Sequence, residues 1–536
     1  GFDSSRQLHF HRVHLCLRCN PAGEAADVSM ENPLNLYSAY ASHFPESHAP
    51  LLTTADGRTY TYGDAQRHSA QVANYLVKLG LRPGDRVTVQ VDKSPYSLWL
   101  FLGTLRAGLV FHPLNTAYTN EELRFFLGDA GSSLFVCDPQ RLEAAQHLCA
   151  QESVRYCLTL DASGEGTLAQ GARDCAQDFD TAMTGADDVA SLVYSSGTTG
   201  RPKGVMLTHG NLVSNASTLV DIWGFTQDDC LLHALPIFHV HGLFVATGCV
   251  LMSGASMRWL PAFDSATALA QIPHSSVMMG VPTYYTRLLK EPALTPELCA
   301  SMRLFISGSA PLLAETFDAF EQRTGHRILE RYGMTETGMN TSNPLHGERR
   351  PGTVGPPLPG VEARVCDPDG LELTAGEIGD LQVRGPNVFA GYWNMPEKTA
   401  EEFSADGFFL TGDKASISED GYVSIVGRSK DMVISGGLNV YPKEVELLVD
   451  AIPGVLESAV IGLPHEDFGE CVAAVVVCDG SDEVDEEQVR AVVRAQAAAF
   501  KVPKQVFFTE SLPRNAMGKV RKDELRKAYD PMDPAD

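Results

Sequence analysis

From Leu34 onward the chain alternates two textures. Short apolar runs with period-two alternation predict strands, and longer stretches with apolar residues three and four apart predict helices. Arg58-Thr59-Tyr60-Thr61-Tyr62 reads as a strand. Residues 64–79 read as an amphipathic helix with Ala65, Ala70, Val72, Ala73 and Leu76 inward. Residues 80–85, rich in Gly, Pro and Asp, form a turn into the strand 87–91, and the alternation continues through 133–137. Such a series implies βαβ units around a largely parallel sheet. No internal repeat is evident.

After Gly355 the pattern changes to short strands and turns, as in 381–385. The glycine-flanked charged stretch Gly427-Arg428-Ser429-Lys430-Asp431 then separates a large body from a final segment. That segment predicts a helix over 442–451, strands over 457–461 and 471–477, and a helix over 486–500. The expectation is an α/β protein: an N-terminal domain of βαβ units with mixed sheets over 30–429, and a small mobile α+β domain over 430–536.

At 536 residues the chain exceeds a single ordinary core, which agrees with that division. Forty-two basic against 67 acidic residues give a net charge of −25, which argues against nucleic acid or an anionic membrane as the main partner. Any anionic substrate needs a locally basic pocket. No apolar run reaches the about 18 residues of a membrane span; the most hydrophobic region, 242–257, is interrupted by Gly248 and Gly254. Twelve scattered cysteines suit free thiols in a reducing compartment. Cys16 and Cys19, preceded by His9, His11 and His14, have no second ligand pair for a zinc site. Residues 1–29 are basic and His-rich without periodicity, so they read as a leader, a non-native extension or a trimmed transit segment. The location expected is the cytoplasm, or a mitochondrion or other organelle if 1–29 is a transit remnant.

The most specific chemistry lies in Ser195-Ser196-Gly197-Thr198-Thr199-Gly200-Arg201-Pro202-Lys203-Gly204. Glycines let successive N–H groups curl around an anion, hydroxyls add donors, and Lys203 adds a mobile charge, as suits a polyphosphate held after a strand. Pro202 breaks the Walker pattern. The ordered string resembles the phosphate loop of adenylate-forming enzymes, the group of acyl-CoA synthetases, luciferases and peptide-synthetase adenylation domains.

The resemblance covers about residues 34–529 and implies roles for further motifs. Ser307-Gly308-Ser309 flanks adenine. Tyr332-Gly333-Met334-Thr335-Glu336 stacks an aromatic on adenine and presents Thr335 and Glu336 to the phosphates, with Glu336 and Thr198 as ligands of Mg²⁺. Asp413 and Arg428 contact ribose. Lys519 bridges the attacking carboxylate and the α-phosphate, where a positioned ammonium offsets charge on phosphorus. Lys430 is the hinge on which the small domain turns between half-reactions. Ser435-Gly436-Gly437 lines the passage for the coenzyme A arm, so a thioester is the expected product.

For the acid, His239 and His241 fall in the gate motif beside the acyl pocket. The stretch 278–289 resembles malonyl-CoA synthetases, in which Arg287 would grip the far carboxylate of a diacid through paired hydrogen bonds. The expected substrates are malonate, ATP and CoA, with Mg²⁺ as cofactor. The enzyme would be a monomer or homodimer without nucleic acid or membrane insertion. Methylmalonate or another short- or medium-chain acid, a carrier-loading adenylation module, and a catalytically silent nucleotide-binding protein are the alternatives.

Overall fold

A computed structural model describes residues 33–195, 202–309, 312, 314–428, 433–440, 442–478, 480, 484–513 and 520–530, without the side chains of 315, 426–428, 439, 443 and 447. The helix expected at 64–79 runs over Tyr62–Lys78. It starts there because Thr61 and Asp64 form a reciprocal capping box, and its five predicted inward residues are buried.

A seven-stranded sheet is built on Arg86–Gln90, with Val110–Pro113 and Leu134–Cys137 parallel on either side and Tyr156–Thr159 beyond the latter. Val189–Ser195 joins parallel to Val110–Pro113, but the next strand, Lys203–Thr208, runs antiparallel to it. A link spanning only 196–202 is too short for a crossover, so the chain must reverse there. An eight-stranded sheet contains Ser256–Trp259, Cys230–His233, Val277–Gly280, Leu304–Ser307 and Leu329–Met334 in parallel, edged by antiparallel Gly338–Ser342. The short strands expected after Gly355 form an antiparallel sheet of four: Glu362–Cys366, Gly379–Arg384, Phe409–Ile417 and Val423–Arg428.

The C-terminal sheet carries Gly469–Cys478 between Val433–Ser435 and Val455–His465, with Gln505–Phe508 parallel to it. Pro442–Asp450 and Glu486–Gln496 pack on this sheet through a separate core that includes Val445, Val449, Val489 and Val493. The helix Glu486–Gln496 ends before the expected residue 500. Ala497 is extended (φ −138°, ψ 163°), and a 3-10 turn over Ala499–Lys501 carries Lys501 inward. Among the described residues no helix is long and apolar enough to cross a membrane, and the ten described cysteines are all free.

The large parallel sheet is tied together at the amino ends of its strands. Arg303 Nε and Nη2 reach the two oxygens of Asp229 at 2.7 Å each, and its other bonds go to the last carbonyls of the helix His209–Trp223, at Trp223 and Gly224. Ser276 Oγ also donates to Asp229. This staple joins one helix end to the starts of three strands, leaving the carboxyl ends free for a ligand cleft. Burial pushes the Asp229 carboxyl up, but the bonds from Arg303, Ser276 and Thr226 outweigh it and hold the group below its ordinary value of 3.8. Asp229→Asn should therefore cost about 3 kcal/mol, seen as a lower urea midpoint by tryptophan fluorescence at pH 7. Because the folded pKa lies below the unfolded one, the difference from the parent protein is full above the unfolded value and shrinks as pH falls below about 4.

Candidate active site

One cleft of about 1590 Å³ lies outside the carboxyl ends of the parallel strands. It exceeds the roughly 300–1,000 Å³ of a single small-molecule pocket, so it has room for more than one substrate. Ser195, Lys203, His239, His241, Ser309, Tyr332, Gly333, Met334, Thr335, Glu336, Asp413, Gly436 and Gly437 all line it. Ser307, Gly308 and Ser435 adjoin this lining without entering it. Ser196, Gly197, Thr198, Thr199, Gly200, Lys430 and Lys519 lie outside the described residues, as does the side chain of Arg428. The backbone of Arg428 pairs with Asp413 across adjacent strands.

At the phosphate-loop end, polar side chains form one chain of contacts. Lys203, 7% exposed, donates to Glu402 Oε1 at 3.0 Å and sits 4.1 Å from the centre of the Tyr392 ring. The Tyr392 hydroxyl lies 2.8 Å from Glu402 Oε2 and 3.2 Å from Glu336 Oε1, which also accepts from Ser195 Oγ at 2.9 Å. Glu336 Oε2 makes no hydrogen bond among the described residues. A carboxylate held by one oxygen and open at the other suits Mg²⁺, which takes one or two carboxylates together with substrate phosphates. Glu402 and Tyr392 carry no sequence motif that marks them; only the fold brings them beside Lys203. On the opposite wall the Tyr332 hydroxyl donates to Asp413.

At the other end the gate segment is pinned from behind. Lys93 Nζ spends its three donors on His233 Nδ1, His233 O and Leu235 O, at 2.8, 2.8 and 2.9 Å. His233 Nε2 then bonds Gly242 O. Burial pulls His239 down to about 4 and His241 well below its ordinary value, so both rings are neutral at pH 7. The Nε2 atoms of both are buried without a hydrogen-bond partner among the described residues. His241 Nδ1 lies 3.1 Å from the hydroxyl of Ser309, a non-glycine residue held at φ +71°, a backbone strain that collects at functional sites.

Arg331, which its sequence motif did not mark as a site residue, is the largest addition. It lines the cleft, is 2% exposed, and among the described residues its Nε and Nη2 have no hydrogen-bond partner. Glu330 precedes it on the same strand and also lines the cleft. Burial raises the Glu330 carboxyl to about 7 while it accepts from Leu312 N–H. Burial also lowers Arg331 to about 10, which leaves it cationic at neutral pH. A Cβ on Gly308 would lie 2.3 Å from Arg331 Nη1; the glycine is the space the guanidinium occupies.

Arg287 stands differently from the expectation. Its helix, Pro282–Leu289, does begin at Pro282, and Pro282, Thr283 and Tyr284 line the cleft, but Arg287 does not. Tyr284, stacked on Phe263 at 3.9 Å, forms the wall there. Arg287 is half-buried and makes no ion pair among the described residues. Its charge acts on Tyr284, whose phenol burial pushes up to about 12.

Residues 38–393 match the AMP-binding enzyme family, and residues 444–519 match the AMP-binding enzyme C-terminal domain. Malonate–CoA ligase of Arabidopsis thaliana is 34% identical over 93% of this chain and 89% of its own length. A feruloyl-CoA synthase of Amycolatopsis is 36% identical over 88% and 94%. The crystal structure of ATP-bound MatB from Rhodopseudomonas palustris is 53% identical over 93% of this chain and 99% of that one, with a TM-score of 0.74. The chain belongs to the AMP-binding, adenylate-forming enzymes, as an AMP-forming acid–CoA ligase.

Proposed function

We propose that the acid is malonate and that the enzyme makes malonyl-CoA, AMP and pyrophosphate from malonate, ATP and CoA. One carboxylate oxygen attacks the α-phosphorus of ATP and pyrophosphate leaves. The sulfur of CoA then bonds the acyl carbon and AMP departs with the C–O electron pair. The observation that carries the choice of a diacid is Arg331. A buried guanidinium with unpartnered nitrogens is costly unless an anion completes it. An acid with one carboxylate presents only the group that must meet ATP, whereas malonate brings a second. With His239 and His241 neutral, the compensating charge falls on Arg331, and Arg287 adds a positive field behind Tyr284. An aromatic acid of the feruloyl kind would set its ring against this cation instead.

In the same reading Glu336 holds Mg²⁺, which would neutralise charge on the ATP phosphates. Lys203 would exchange Glu402 for a phosphate. Tyr332 and Asp413 are assigned to adenosine. Lys519, on its sequence motif alone, is assigned to the adenylation step, and Lys430 to the hinge between residues 30–429 and 430–536.

A pyrophosphate-release screen of C2–C8 mono- and diacids decides the substrate. Malonate should lead, and a preference for acetate or octanoate would remove the diacid reading. Arg331→Met should lower kcat/KM for malonate roughly a hundredfold while changing propionate much less. Equal losses for both acids would mean that Arg331 is structural.

Glu336→Gln should act at the other end of the cleft. Pyrophosphate release should drop about a hundredfold for every acid that is turned over, with the ranking of acids unchanged. An altered ranking would place Glu336 in the acid pocket.

A further inference from the structure

The C-terminal unit supplies part of the cleft wall. Ile434, Gly436, Gly437 and Phe468 line it beside Val281, and a Cβ on Gly437 would meet Val281 Cγ2 at 3.2 Å. The glycine strip therefore rests on the acid end of the site. Two contacts at one seam hold the unit in that setting. Lys501 Nζ, with a side chain 4% exposed, bonds Glu122 Oε1 of the large unit at 2.8 Å and Glu444 Oε1 of its own unit at 2.6 Å. The Tyr118 ring centre is 4.9 Å away. Thr119 Oγ1 donates to the carbonyl of Gln496 at 3.2 Å. A third crossing pair, Lys290 with Asp467 at 3.6 Å, is more than half exposed on both sides and counts for little.

The seam is built so that it can open. Glu122 is the third-residue partner in the capping box of the helix Asn120–Ala130: its Oε2 accepts from Thr119 N–H at 2.9 Å whether or not Lys501 is present. Lys501 keeps Glu444 when the units part. Neither charge is orphaned by separation, and each is pre-oriented for rejoining. The carbonyl of Gln496, at the end of the helix Glu486–Gln496, also meets Thr119 at the start of Asn120–Ala130, so a helix C-terminus faces a helix N-terminus across the seam.

We propose that Lys501 is a positioning residue for the second half-reaction. Its bridge to Glu122 favours the setting in which Gly436 and Gly437 face the acyl pocket, and so favours attack of CoA on the acyl-adenylate over formation of that adenylate. A contact present in one of two settings shifts their populations by its own free energy and leaves chemistry in the other setting untouched. The inference rests on the chain being an acid–CoA ligase with two half-reactions, and it holds for whichever acid the screen selects.

Two variants of the full chain test it. Glu122→Gln keeps the cap, because glutamine serves at that position. Its single acceptor oxygen is taken by the cap, so Lys501 would meet an amide N–H₂. Lys501→Met removes the charge from the other side. Half-reaction one is read as acid-dependent ATP–pyrophosphate exchange without CoA, and half-reaction two as the single-turnover chase of preformed acyl-adenylate by CoA. Both variants should slow the chase about tenfold, equivalent to about 1.4 kcal/mol, with exchange changed less than about twofold and the double variant no slower than Lys501→Met. Thermal unfolding checks that Glu122→Gln remains folded. An unchanged chase in folded Glu122→Gln, parallel losses in both half-reactions, or additive losses in the double variant would each overturn the assignment.

Discussion

A buried guanidinium that hydrogen-bonds no carboxylate among the described residues is the constraint around which this cleft is arranged. Arg331 lies on the strand Leu329–Met334, one in from the edge of the eight-stranded sheet, and is buried there, where an unpaired charge is strongly unfavourable. The neighbouring structure accommodates it sterically, because residue 308 has no Cβ. His241 is kept neutral by burial first and by Arg331 second, so it adds no competing charge.

The other buried cations follow the opposite rule, and the contrast explains their roles. Lys93 is saturated by two carbonyls and a ring nitrogen, so it fixes backbone. Lys203 is paired with Glu402, a single carboxylate at the cleft wall. Lys501 has two carboxylates, one from each unit, and therefore reports whether the units are joined. Stability and function also occupy opposite edges of the large sheet. The Arg303–Asp229 staple gathers the amino ends of the strands, while the carboxyl ends carry His239, His241, Ser309 and Arg331.

Much of this was legible along the chain because it is local. Capping boxes, turn glycines and period-two apolar runs act over a few residues, so the helix Tyr62–Lys78 and the strands Arg86–Gln90 and Leu134–Cys137 appeared within one or two residues of expectation. The helix predicted through residue 500 ended at Gln496, because the burial of Lys501 against Glu122, far away in sequence, outweighs continued helical propensity. Arg287 was visible as a cation just over a turn after Pro282. Helix geometry nevertheless gave the cleft wall to Tyr284. Arg331 went unmarked because one arginine within a strand has no local signature. Its meaning lies in the absence of any partner, a property only of the packed state.

The sequence by itself determined the class of chemistry: a phosphate loop, the segment 332–336 and Asp413 in family order, on an α/β chain too acidic to hold anions except in a pocket. It could do so because those motifs bind through backbone shape and short-range groups. Tertiary structure alone decided which cations stay unpaired, which carboxylate meets Lys203, and how Lys501 bridges the two units. Those outcomes depend on desolvation and on charges brought together from hundreds of residues apart, and neither exists until the chain is folded.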